Sequence, residues 1–141
     1  MLLKHKSARW TLGLIAAFML LLTYVFQRLD FSHFIGIESA YGRFIFNRSL
    51  RFLLNDLSCL LLITAVFNKK SYLRLSAWLF VVESVIILPL YFLVKLSWEG
   101  DSEISSPLLS QWHRMIVNPL LMIVLMVGFF YQDFFSKPNH A

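Results

Sequence analysis

The sequence predicts an all-α membrane protein with four transmembrane helices and short interfacial helices in the two outer loops. Three observations predict it. Of 141 residues, 58% are hydrophobic and 15% are charged, whereas soluble domains run near half apolar with about a quarter charged. The apolar residues gather into four runs, about 10–26, 50–67, 75–96 and 115–131, each close to the length that crosses about 30 Å of hydrocarbon. The basic residues stand at the ends of these runs and form no single patch. That pattern reports membrane orientation and excludes nucleic acid as a partner. No linker divides the chain, so 1–141 reads as one domain.

The first run follows Lys4, Lys6 and Arg9 and carries no charge from Trp10 to Phe26. It starts like a signal peptide, but bulky Thr23, Tyr24, Val25 and Phe26 stand where a small-x-small cleavage site would be, so it reads as an uncleaved span. Residues 27–49 interleave Phe31, Phe34, Tyr41, Phe44 and Phe46 with Arg28, Asp30, His33, Glu38 and Arg43. Rings mixed with charges suit the headgroup zone, and Gly36 and Gly42 interrupt any long helix. One or two short surface helices are expected there, an exposed loop being the plain alternative.

The second run ends at a basic turn, Asn68-Lys69-Lys70-Ser71, and the third contains Glu83 and Pro89. A proline in a span bends it and frees a carbonyl. Trp98–Pro107 is an acidic loop, Leu108–Arg114 a short interfacial helix anchored by Trp112, and Asp133–Ala141 a tail. With the N-terminus in the cytoplasm, Lys4, Lys6, Arg9, Lys69, Lys70, Arg74 and Lys137 lie inside. Arg28, Arg43, Arg48, Arg51, Lys95 and Arg114 lie outside. The acid-free turn at Lys69 and Lys70 decides for cytoplasmic N- and C-termini.

Polar residues inside the spans are where chemistry is sought. Arg51, Asn55 and Asp56 open the second span, and Arg114 and Asn118 repeat the Arg-x-x-x-Asn spacing at the last. Residues four apart share a helix face. Two matched faces at the outer ends of parallel spans would form a pocket able to grip a carboxylate or a peptide backbone, which suits arginine's planar fork. Asp56, about 9 Å below Leu50 by helical rise, is expected to meet Arg114. The alternative is that these groups only hold helices together or reach headgroups.

Glu83 is the sharpest single residue, an intramembrane ionisable group, with a packing role bonded to a neighbouring Ser or Thr as its plain alternative. Gln should replace it better than Lys. Measured from the apolar boundaries, Asp56 and Glu83 differ in depth by about 9 Å, so they are not expected to touch.

Cys59 with His113 does not make a nucleophile and base: the thiol lies about 13 Å below Leu50 and the imidazole at the outer boundary. It reads as a small buried apolar group. The scattered histidines show no metal spacing, and there is no phosphate loop or serine elbow. No catalytic residue, cofactor or metal is expected.

Arg51-Phe-Leu-Leu-Asn55 with Ser58, Asn68-Lys-Lys-Ser-Tyr72, Pro89-Leu-Tyr91 and Arg114-x-x-x-Asn-Pro-Leu120 ending in Phe-Tyr-Gln132 resemble the exosortase F system-associated membrane proteins of Bacteroidetes-type bacteria. The likeness covers about 26–132. It implies a small multi-spanning accessory of an exosortase, a transpeptidase-like protease that processes C-terminal sorting signals, and it implies no catalytic residues. The expected function is thus a non-enzymatic inner-membrane accessory protein that binds an exosortase or its sorting-signal substrate through the outer Arg/Asn face. The alternative is a small ion-coupled transporter or transport subunit centred on Glu83.

Overall fold

Phe52, Asp56, Cys59 and Ile63 fall at steps of four, three and four residues, the spacing of one helix face, and all four are buried. That face belongs to the central element. A computed structural model describes residues 5–26, 29–100 and 106–135. Its elements are α1 (Lys6–Val25), α2 (Ser32–Ile35), α3 (Ala40–Phe67), α4 (Lys70–Val82), a π turn (Glu83–Ile87), α5 (Leu88–Trp98), α6 (Pro107–Val117) and α7 (Leu120–Phe135). The described residues contain no strand. Helix α3 packs against α1, α2, α4, α6 and α7, so the bundle is built around it.

Three helices are long and apolar enough to cross a membrane: Lys6–Val25, Ala40–Phe67 and Lys70–Trp98, the last running through the π turn. Helices α6 and α7, bent by 56°, make a fourth if counted as one broken span. Large apolar side chains cover the outside, Leu14, Phe18, Trp78, Leu93 and Val124 among them. Contiguous apolar surface on this scale is not left against water by a soluble monomer.

The structure corrects three expectations about boundaries. Residues 40–49 do not lie on the surface as separate helices; they extend α3 by ten residues beyond the apolar run. Gly42 does not interrupt it. It sits in the first turn, where its N–H donates to Ser39 Oγ at 3.0 Å, and an added Cβ would meet that oxygen at 2.5 Å. Glycine there admits the cap. Between the first two spans the short helix is α2, tied to α3 by Asn47, whose Nδ2 donates to Asp30 at 2.6 Å and whose Oδ1 accepts from Phe31 N at 3.0 Å. The last run does not start at Met115. Pro119 drives the preceding residue out of the helical region: Asn118 has φ −87° and ψ 133°. Met115 therefore belongs to the last turn of α6, which ends at Val117, and the last helix begins at Leu120.

Contacts gather three chain segments at one end of the bundle. Arg9 caps the C-terminus of α3, donating from Nε to Ala65 O at 3.0 Å and from Nη2 to Val66 O at 2.6 Å, where cations suit the exposed carbonyls. Asn68, left-handed at φ 52°, makes the turn into α4. Lys69 pairs with Asp133 at the end of α7, and Tyr72 Oη donates to the same carboxylate at 2.6 Å. Behind it the Tyr72 and Phe129 rings stack at 4.1 Å. Of the charges used to orient the chain, Lys4, Arg28 and Lys137 lie outside the described residues, as do Asp101 and Glu103 of the acidic loop and residues 136–141.

At the other end, Glu99 joins α5 to α6. It pairs with the fully buried Lys95 one turn earlier, and its Oε1 accepts from Ser106 N at 2.6 Å. The Lys95 ammonium first, and the Ser106 amide second, hold its carboxyl at about 2 against an ordinary 4.5. A carboxyl depressed by folding contributes stability above its unfolded value and loses it as pH falls through the folded one. Between pH 4.5 and about 2, acidification should release the start of α6. Amide exchange at residues 106–110 should rise over that interval, and Glu99→Gln should exchange as fast at neutral pH. Exchange independent of pH would show that this bridge does not hold α6.

Candidate functional site

Arg51 and Asn55 stand on one face of α3, one turn apart. Across from them the last turn of α6 carries Arg114, and the break forced by Pro119 turns Asn118 back toward α3. Together these four residues, with His113, line a pocket of about 690 Å³ between α1, α3, α6 and α7. Asn118 reaches it from an extended position, not from the helical face the spacing implied.

Charge in this pocket is one-sided. Among the described residues no carboxylate lines it. Arg51 Nη2 donates a long hydrogen bond to Leu29 O at 3.4 Å, while its Nε, buried, has no partner among the described residues. Arg114 is exposed, and its side chain makes no hydrogen bond or ion pair among the described residues. The His113 ring is engaged elsewhere. Arg48 Nη1 lies 2.7 Å from its Nε2, the Tyr91 hydroxyl is 3.1 Å from its Nδ1, and the Tyr91 ring lies 5.7 Å away. It ties α3, α5 and α6 together.

Asp56 does not meet Arg114. It is turned about 100° round α3 from Asn55 and faces Glu83 within hydrogen-bonding reach. The expectation that these two carboxyls stay apart is therefore wrong. Depths taken from the apolar boundaries mislead here, because both helices run past those boundaries, α3 beginning at Ala40 and α4 at Lys70. Counted from the turn that joins them, Asp56 precedes Asn68 by twelve residues and Glu83 follows Lys69 by fourteen. At 1.5 Å per residue the two sit about 18 and 21 Å along antiparallel neighbours, which is nearly level. That count was the signal available in the sequence.

Cys59 is buried and borders the same pocket as His113, but an imidazole held by Arg48 and Tyr91 is not presented to the thiol as a base. Among the described residues no three His, Cys, Asp or Glu side chains gather as a metal site would require. Lys95, which the sequence places near the end of the third span without a role, is buried at the α5–α6 end of the bundle, and its i,i+4 spacing to Glu99 was the available sign. Compared with protein-family models, curated proteins and solved structures, this chain matches none.

Proposed function

We propose that the protein is a non-enzymatic accessory protein of the bacterial inner membrane, with four spans, α6 and α7 forming the fourth, and both termini in the cytoplasm. Its Arg-lined pocket receives a carboxylate carried by a membrane partner. The observation that carries this reading is the placing of Arg51 and Arg114 around a pocket that no carboxylate of the described residues lines. Charge-assisted hydrogen bonds to an arginine fork contribute about 1.5–3 kcal/mol each, enough to recruit one carboxylate. The residue likeness given above makes an exosortase, or the sorting helix of its substrate, the partner to test. The shared end of Arg9, the Lys69 turn and Asp133 supports an even number of crossings.

Two measurements test it. Reporter fusions at Ser71 and Gly100 should fall on opposite sides with Ser71 inside; an outside Ser71 overturns the orientation. Arg51→Lys and Arg114→Lys keep the charge and lose the fork. Because neither arginine pairs with Asp56, both variants should reach parental membrane levels. Each should recover about tenfold less of a co-expressed exosortase on co-purification in mild detergent, the loss of one charge-assisted hydrogen bond. Undiminished recovery from both variants would make these arginines headgroup anchors.

A further inference from the structure

Asp56 is 1% exposed and Glu83 is 4% exposed. Asp56 Oδ1 and Oδ2 and Glu83 Oε2 accept no hydrogen bond from any N–H or O–H among the described residues. What each carboxyl faces is the other. Beside them the titratable group is the Cys59 thiol on α3. From α1, α4, α5, α6 and α7, no Lys, Arg or His of the described residues is set against the pair.

Two carboxylates in contact, with water excluded, repel strongly, and three of their oxygens have no donor among the described residues. One proton between them removes a charge and supplies a donor. The result is a carboxyl–carboxylate hydrogen bond, among the short and strong ones. A multivalent metal would need further ligands that the described residues do not gather there.

The backbone at Glu83 is also unusual. The π turn opens at this residue, and Leu88 N donates to Glu83 O, five residues back. Pro89 follows and has no N–H to give. A π turn inside an α-helix can revert to α spacing locally, and such turns concentrate at functional sites. Reversion would rotate Glu83 about its helix axis and away from Asp56 without breaking the span.

We propose that Asp56 and Glu83 form an exchangeable proton site in the membrane interior, one proton shared between carboxyls on facing helices, with the π turn as the backbone element that yields when the proton leaves. Asp56 is turned about 100° round α3 from Asn55, Cys59 stands between the pair and the Arg-lined pocket, and the proposal does not rest on that pocket's function.

Infrared spectroscopy of the parent protein in phosphatidylcholine vesicles tests this. A protonated carboxyl C=O band, shifted in D2O, should disappear as pH is raised. Glu83→Gln should move its titration by about one pH unit or more, the size of coupling between such paired groups, and Asp56→Asn with Glu83→Gln should remove it. Amide exchange at residues 85–88 should rise over the same pH interval as the parent band is lost. Absence of the band, or its persistence in the double variant, overturns the site. A band unchanged across the pH range that the vesicles survive shows a locked structural proton and overturns exchange. A midpoint that moves with sodium at constant ionic strength assigns the pair to sodium instead. The parent titration alone carries the test, so a variant that fails to insert does not block it.

Discussion

A lysine in place of Glu83 is expected to be carried in the membrane only while Asp56 stands opposite it. With Glu83 read as solitary, Glu83→Lys is simply destructive. With Asp56 facing it, the new ammonium gains a carboxylate partner and accumulation stays near parental. Adding Asp56→Asn removes that partner. An uncompensated lysine near a span centre costs about 2.5–3.5 kcal/mol on insertion scales, roughly two orders of magnitude in an equilibrium constant. Carbonate-resistant protein measured by immunoblot should therefore fall more than tenfold from the single to the double variant. Equal levels would show that the two side chains do not meet.

The same contact separates stability from function. Replacing a buried polar pair by apolar residues is often neutral, whereas removing one partner leaves the other stranded. Asp56→Leu with Glu83→Leu should insert and fold, while losing the titrating band. A protein that keeps its fold without the pair did not retain two carboxyls for helix packing.

How far the sequence could be read follows from which distances it encodes. Helix identity was legible, because apolar runs of membrane length admit little else once backbone groups must be satisfied internally. The buried face of α3 can be read in the spacing of Phe52, Asp56, Cys59 and Ile63, and the repeated Arg/Asn step names residues that border one pocket, although Asn118 arrives there from an extended position and not from a helical face. Boundaries were not, since helices outlast their apolar cores: Ser39 starts α3 in polar sequence, and Pro119 cuts a run whose hydropathy is continuous. Relative depth was the costliest loss. It depends on where two helices join, and only the turn at Asn68 and Lys69 supplied that origin. The partner choice of Asp56, Glu83 over Arg114, then follows from which side of α3 it faces.

Phe52→Ala should be the most damaging apolar truncation, and its neighbour Leu53→Ala nearly silent. Phe52 is fully buried, its ring stacked on Phe80 at 6.2 Å between centroids and 8° between planes. Leu88, Tyr91 and Ile116 pack into the same cluster, which binds α3 to α4, α5 and α6. Within a bilayer the transfer from water is already complete, so the loss on truncation is packing. Acyl chains cannot enter a site closed on every side, and the vacated volume stays empty. The lower end of the Phe→Ala range, about 3 kcal/mol, is expected. Leu53 is 37% exposed on the adjacent face. If that face meets lipid, acyl chains fill the space a smaller side chain leaves, and the change should fall within about 0.5 kcal/mol. Unfolding in mixed micelles titrated with sodium dodecyl sulfate compares the two. A Leu53→Ala cost matching that of Phe52→Ala would place Leu53 in a protein interface and show that the exposed apolar belt is not where acyl chains lie.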